Sequence, residues 1–297
     1  MRSIIAVTAA VVFWGSSFIA TKIAGACFTP LLLCLVRFAV SSLLFGVFCL
    51  GGWRPARPKR RDAFYIAVTS LTGITVYYAL ETIGVQLTTA GNASLISASY
   101  PAITALVGIL FYRERPSGRI LAGILIAICG IFLLNDWSSL GLSEGGAGNM
   151  MLLADGFLWA YYNYTMQKIS SDMDPISISC RQIWIGTAAF VPLVWLEKPV
   201  FTGADLSAWL AVAYLSVCCT VAALLLYNRG IRQIPASLAA SLMNLIPVVG
   251  VLLSVLVLSE QITLKQMTGG AVILLGVWIS ASRSKRKQAE NDTMDNR

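Results

Sequence analysis

The sequence has no histidine, and only 14 of its 297 residues are acidic. The first absence removes imidazole, the commonest metal ligand and the usual side chain for proton transfer near neutral pH. Charged residues of both signs amount to 12%, where a soluble domain carries about 25%, so the chain has too little polar surface to coat a water-soluble fold. Its seven cysteines, Cys27, Cys34, Cys49, Cys129, Cys180, Cys218 and Cys219, fall mostly inside apolar runs and form no paired CxxC spacing. They read as packing residues, and no metal or other cofactor is expected.

Apolar residues are in excess, at 57% with a mean hydropathy of +0.74. A helix needs about 20 apolar residues to cross a bilayer. Runs near 3–20, 31–50, 64–86, 92–112, 118–134, 150–168, 176–196, 207–230, 236–258 and 266–281 fit that length. The expectation is an all-α integral membrane protein with ten transmembrane helices. The first run follows a lone Arg2 without a cleavage site and polar mature domain behind it, so it reads as a retained helix.

The formal net charge of +8 would suit nucleic acid, but basic residues that border membrane spans report topology instead. With the N-terminus inside, the cytoplasmic ends hold Arg2, the 54–61 cluster, Arg113, Arg115, Arg119, Lys168, Arg229, Arg232 and the basic tail. Of the 22 basic residues, only Lys22, Lys198 and Lys265 fall in outer loops, and Arg37 and Arg181 fall within spans. Both termini are expected in the cytoplasm, with the lipid bilayer and a small-molecule substrate as partners and no nucleic acid.

An internal repeat runs through the chain. Trp14 and Trp159 lie 145 positions apart, as do Pro30 and Pro175. After a one-residue slip the offset is 146 for Gly84/Gly230, Pro101/Pro247, Glu114/Glu260, Ser117/Thr263, Gly123/Gly269 and Gly130/Gly276. Five helices per half is an odd number of crossings, so the second half must start from the opposite side. Such inverted repeats characterise secondary transporters, whose mirrored halves give two access states of similar energy. The expected organisation is a first repeat over 1–134, an external linker over 135–149, a second repeat over 150–282, and a disordered cytoplasmic tail over 283–297.

Charges within spans face a bundle interior or a wet cavity, which singles out Arg37, Glu81, Asp155 and Arg181. Arg37, Glu81 and Asp155 fall in the outer half of their spans, and Arg181, near-counterpart of Arg37, in the inner half. One reading has Arg37 binding a substrate carboxylate while Glu81 or Asp155 carries a coupling proton, since a carboxyl group in low dielectric keeps its proton more readily. The other is a structural ion pair. Trp14 and Ser17 share a face of the first helix, and Asp155, Trp159, Tyr162 and Asn163 share one of the sixth. These faces, with Tyr78, Asn92, Ser97 and Asn244, are candidate cavity lining. Pro101 and Pro247 sit mid-helix, where each removes a hydrogen bond and is expected to kink the helix. Glu114 and Glu260 precede Ser117 and Thr263, the presumed first caps of the last helix in each half, and read as structural acids at that helix's positive end. Gly123, Gly130, Gly269 and Gly276 suggest a close packing face, within the chain or between copies in a homodimer.

The strings FWGSSF (13–18), YALETIGVQLTTAGNASLISASYPAITALVGILFYRERPS (78–117) and LIPVVGVLLSVLVLSEQIT (245–263) resemble the EamA-type transporters of the drug/metabolite transporter superfamily. The resemblance covers essentially all of the chain except the tail. It implies ten helices as two inverted five-helix EamA repeats in the inner membrane, exporting amino acids or other small metabolites. Glu81 matches an acid common at that place in the family, but the Asn that often follows is Thr82 here.

The reading is a secondary transporter working by alternating access, not an enzyme, with a cavity lined by helices 1, 3, 4, 6, 8 and 9. Amino acids or related metabolites are the expected cargo; drugs, purines or sugars are the alternatives within the superfamily. A non-transporting receptor or scaffold lacks a signalling domain to support it. An intramembrane enzyme lacks histidine and metal-ligand spacing.

Overall fold

The computed structural model describes residues 2–114, 116–134, 144–170, 172–201, 203, 205–231 and 242–281. Arg115, Arg232, the expected tail 283–297 and the expected linker up to residue 143 lie outside the described residues.

Long apolar runs dictate helices, because a backbone out of water must satisfy its own hydrogen bonds. The first half comprises α1 (Arg2–Gly25), α2 (Pro30–Leu50), α3 (Arg60–Ser70), a π-helical segment Leu71–Val76, α4 (Tyr77–Leu87), α5 (Ala90–Ser97), α6 (Tyr100–Tyr112) and α7 (Gly118–Leu134). The second comprises α8 (Glu144–Met166), α9 (Pro175–Glu197), α10 (Leu206–Tyr214), a π-helical segment Leu215–Ala222, α11 (Ala223–Ile231), α12 (Leu245–Leu258) and α13 (Leu264–Ala281). No β-strand occurs among the described residues, only an isolated bridge between Phe28 and Phe201. Among the described residues, six helices are long and apolar enough to cross a membrane: Arg2–Gly25, Pro30–Leu50, Arg60–Leu87, Ala90–Tyr112, Pro175–Glu197 and Leu206–Tyr227. Three shorter apolar helices, Gly118–Leu133, Leu245–Leu258 and Leu264–Ile279, accompany them. α8 starts at Glu144, ahead of the apolar run read from the sequence, and buries Asn149 and Asp155.

Three local features recur at the sequence offsets: a proline that opens the second helix of each half, a π segment in its third span, and a threonine in that segment that bonds five residues back. Pro30 and Pro175 open α2 and α9 at the first position, where proline's missing N–H removes nothing. Asp174 caps α9 by accepting from Ser177 N–H, and Asp205 caps α10 by accepting from Ala208 N–H. The third span of each half contains a π segment, of six residues in the first and eight in the second. Thr75 Oγ1 donates to Ser70 O and Thr220 Oγ1 to Leu215 O, each five residues back. The one-residue slip between 145 and 146 thus falls beyond Thr75/Thr220, where the second half has the longer π segment; a π turn is a one-residue insertion in an α-helix.

The proline kinks expected in continuous fourth and ninth helices are instead breaks. α5 ends at Ser97, residues 98–99 form a turn, and α6 begins at Tyr100 with Pro101 in its first turn. Asn244 likewise interrupts the chain before α12, which carries Pro247 as its third residue. Starting a new helix just before proline avoids the clash that a mid-helix ring imposes. α6 and α12 then end alike, with Arg113 (φ 56°) and Ser259 (φ 54°) left-handed and the following N–H groups of Glu114 and Glu260 bonded to Gly108 O and Ser254 O.

The halves interlock through carboxylates that cap helices of the opposite half. Glu197 accepts from Leu31 N–H, Leu32 N–H and the Thr29 hydroxyl at the start of α2. Glu260 accepts from the N–H groups of Ala90 and Gly91, the first two residues of α5. The expectation that Glu260 serves the last helix of its own half is therefore corrected: that helix is capped by Thr263, which accepts from Gln266 N–H. Lys22 Nζ complements Glu260 by donating to Val85 O and Gln86 O at the end of α4, so opposite helix ends meet opposite charges.

The glycine stripe is used within the chain. A Cβ on Gly130 would lie 2.6 Å from Ile273 N and 2.8 Å from Gly269 O, and one on Gly276 would lie 2.5 Å from both Ala127 N and Gly123 O. Bare backbone is what lets α7 and α13 pack along each other.

Candidate functional site

Helices of both halves bring their polar residues to one place. Arg37, from α2, is 3% exposed and its Nε donates to Thr220 Oγ1 at 3.0 Å. Its guanidinium carbon stands 4.7 Å from the Tyr78 ring centre and 5.4 Å from that of Phe38, so two aromatic faces flank the cation. Among the described residues no carboxylate forms a salt bridge with it, and its two terminal nitrogens have no protein hydrogen-bond partner. Asp155 Oδ1 is likewise buried without a hydrogen-bond partner. The structural ion pair considered for Arg37 is thus not formed in this conformation.

Glu81 lies one turn beyond Tyr77, whose hydroxyl donates to Glu81 Oε1 at 3.4 Å. Asp155, on α8, is fully buried and accepts from the Tyr100 hydroxyl at 2.9 Å. The Tyr78 ring that flanks Arg37 is 4.9 Å, centre to centre, from that of Tyr77, the donor to Glu81, and Tyr77 packs against Trp159 of α8, the helix that carries Asp155. Buried ionisable groups are costly in a membrane interior, and three of them around one cluster favour a ligand or proton that balances the charge. The wall is aromatic: Tyr77 and Trp159 ring centres are 5.6 Å apart, and Trp159 stacks on Tyr162 at 5.5 Å. Tyr162 also donates to Gln182 Oε1 at 3.4 Å.

The remaining candidates take other places. Trp14 donates from Nε1 to Cys219 O at 3.2 Å and rests against Tyr227, with ring centres 5.0 Å apart. Ser17 bonds back to Trp14 O, Ser97 to Ser94 O, and Asn163 to Trp159 O, so each spends a donor on its own helix. Asn92 donates to Thr88 Oγ1 and Asn149 Oδ1, a buried knot joining α5 to α8, with its own Oδ1 unpartnered. Asn244 is the half-buried residue before α12 and makes no side-chain cap bond. Thr82, standing where the family often has Asn, meets Cys34 Sγ at 3.1 Å.

Arg181 is the clear correction. It lies within the α9 span, as expected, but its guanidinium bonds Pro55 O and Ala56 O in the connection between α2 and α3 instead of facing the bundle interior as Arg37 does. The residue 145 positions after Arg37 is Gln182, which is 2% exposed and donates to Thr69 Oγ1 at 2.8 Å. Sequence reasoning also passed over Tyr77, Tyr100 and Thr220. The i, i+4 spacing of Tyr77 and Glu81 and the 145 offset of Thr75 and Thr220 were the signals available for two of them.

The description of the EamA-like transporter family matches residues 1–136 and again 146–282. The chain belongs to the EamA-like transporter family. Within it, a protein of Bacillus subtilis named "Uncharacterized transporter YetK" is 26% identical over 300 residues, covering 97% of this chain and 89% of that one. A "Probable amino-acid metabolite efflux pump" of Escherichia coli is 26% identical over 280 residues, covering 91% of each. A "Probable terminal-alkyne amino-acid exporter" of Streptantibioticus cattleyicolor is 23% identical over 292 residues, covering 98% of this chain and 97% of that one. One crystal structure superposes with a TM-score of 0.65 at 18% identity, over 96% of this chain and 98% of the other, a likeness of fold alone. Membership makes this EamA chain a multi-pass membrane protein of a transport family.

Proposed function

We propose that the chain is a secondary transporter that crosses the membrane ten times as two oppositely oriented five-helix halves and moves small amphipathic zwitterions, of the amino-acid class, outward by alternating access. The halves are 1–134 and the stretch from α8 to 282, the linker between Leu134 and α8 is external and shorter than the expected 135–149, and both termini, with the tail 283–297, are cytoplasmic. The recurring π segments, helix breaks and left-handed caps support a two-fold pattern, and the basic-residue bias supports the orientation.

The observation that carries the substrate reading is Arg37, a buried guanidinium whose terminal nitrogens have no protein partner among the described residues, linked through Tyr78 and Tyr77 to Glu81 and to the helix of Asp155. A planar guanidinium fork matches a carboxylate in bidentate fashion. The carboxyl groups of Glu81 and Asp155 then receive the substrate's ammonium group or a proton, and Tyr77, Tyr78, Trp159 and Tyr162 line its apolar side. Trp14, Ser17, Asn92, Ser97, Asn163 and Asn244 form the next ring of the cavity, and the breaks before Pro101 and Pro247 let helix halves move separately. The names of the Escherichia coli and Streptantibioticus cattleyicolor relatives point to the same class of cargo.

The test is counterflow with purified protein in liposomes, against amino acids, sugars, purines and amphipathic cations, with and without a proton gradient. Exchange of amino acids above the other classes is expected. Counterflow of a sugar, purine or cation with no amino acid exchanged would overturn the substrate reading, and no counterflow of any solute would overturn transport.

A further inference from the structure

Thr220 stands in the π segment Leu215–Ala222, opposite Arg37. Ser and Thr in helices ordinarily bond the carbonyl three or four residues back. Thr220 bonds Leu215 O, five back, at 2.9 Å, a partner that the wider π turn brings into reach. Its single hydroxyl proton is thereby committed, and its lone pairs are left to accept. Arg37 Nε donates to that oxygen at 3.0 Å, and both residues are at most 6% exposed. One turn further along α2, the Ser41 hydroxyl is shared between Arg37 O at 3.0 Å and Ser216 O at 3.1 Å, so α2 meets the same π segment at two points.

Each residue of a helix turns its side chain by about 100° relative to the last, so an ordinary α-helical register here would aim Thr220 elsewhere. The π turn therefore sets the direction of the hydroxyl, the hydroxyl holds Nε, and the Tyr78 and Phe38 rings fix the guanidinium plane. With a planar group held at Nε, the direction of its two terminal nitrogens is fixed too. The other half has the same π device without this use. Thr75 bonds Ser70 O, but the counterpart of Arg37 is Gln182, which bonds Thr69 instead.

We propose that Thr220 is a positioning residue for Arg37, holding the guanidinium fork toward the substrate carboxylate. This rests on the reading of Arg37 as the carboxylate-binding group. A hydrogen bond to a charged group that is lost from a buried site corresponds to about tenfold in binding, and it is selective here because only ligands with a carboxylate use the fork.

The experiment measures labelled phenylalanine exchange in liposomes and its competition by 2-phenylethylamine, the same molecule without the carboxylate, for the full-length wild type and four variants. Thr220→Val is expected to raise KM for phenylalanine about tenfold with Vmax within about twofold, to leave the amine's inhibition within about twofold, and Thr220→Ser to restore KM. Thr75→Val removes the matching π-turn hydroxyl away from Arg37 and is expected to keep the wild-type KM. Arg37→Gln is expected to raise KM at least as much as Thr220→Val. If Thr220→Val does not fold, Thr220→Ala deletes the same hydroxyl with less bulk and carries the same expectation. Wild-type KM in the Thr220 variants beside a raised KM in Arg37→Gln overturns the positioning role and spares the carboxylate reading. Equal effects of Thr75→Val and Thr220→Val overturn it in favour of a general role of π turns. Wild-type KM in Arg37→Gln, or no phenylalanine exchange by the wild type, removes the reading beneath the proposal and the proposal with it.

Discussion

The Glu260 carboxylate accepts the Ala90 amide N–H at 2.8 Å, joining the end of α12 to the start of α5 across the two halves. The same group takes Gly91 N–H at 2.9 Å, so two of the four amide donors that every helix start leaves unpaired are satisfied by one acid. Glu260→Ala is expected to destabilise the folded protein by about 2 kcal/mol, because it strands two donors at the head of a helix. Glu260→Gln, which keeps an acceptor and loses the charge, is expected to lose less. Thermal unfolding in detergent checks both, and an unchanged midpoint for Glu260→Ala would refute the cap.

Gly130 and Gly46 make a matched pair for the packing of α7 on α13. A Cβ at Gly130 meets the backbone of Ile273 and Gly269, which cannot rotate away, whereas one at Gly46 meets nothing within 4 Å. Gly130→Ala is expected to destabilise by about 1–3 kcal/mol through overpacking, and Gly46→Ala to be neutral or slightly stabilising through helix propensity. The same unfolding assay reads both, and equal effects would show that the stripe is not a contact.

Much of this fold was legible in the sequence. Apolar runs located the helices, Pro30 and Pro175 marked two helix starts, and the paired offsets announced two similar halves. The π segments were not legible, since Leu71–Val76 and Leu215–Ala222 have no composition that separates them from α-helix; only the slip from 145 to 146 betrayed an inserted residue. Depth along a span singled out Arg37, Glu81 and Asp155 as candidates, because a charge in lipid needs a reason, and the structure buries all three. Depth says nothing of direction, and Arg181, although within the α9 span, turns to the α2–α3 connection, where a step of one residue, a rotation of about 100°, separates it from the buried face of Gln182.

Glu81 and Asp155 are the proposed proton carriers, on spans from different halves. If each is needed, Glu81→Gln and Asp155→Asn are expected to abolish the response of transport to an imposed proton gradient while leaving substrate binding detectable. Transport by liposomes across a range of external pH, with each variant beside the wild type, checks this. Unchanged pH profiles in both variants would remove the coupling role from these residues.

Asp205 caps α10 from outside the span, where the Ala208 N–H and the Ser207 hydroxyl hold its carboxyl below the ordinary aspartate value. A group with a depressed folded pKa adds stability above its unfolded pKa and loses it as pH falls through the folded one. Asp205→Ala is therefore expected to unfold earlier than the wild type at neutral pH, with the gap closing as pH falls below the ordinary aspartate range. A gap that persists there would show that the charge on Asp205 is not what stabilises the helix start.

The most direct measurement of the central claim is uptake of labelled phenylalanine into liposomes preloaded with unlabelled phenylalanine, by the wild type and by Arg37→Gln. The account predicts accelerated uptake by the wild type over empty liposomes, and a loss of about tenfold or more at low substrate concentration when the guanidinium is removed. Uptake that is indifferent to preloading, or that proceeds equally without Arg37, would contradict it.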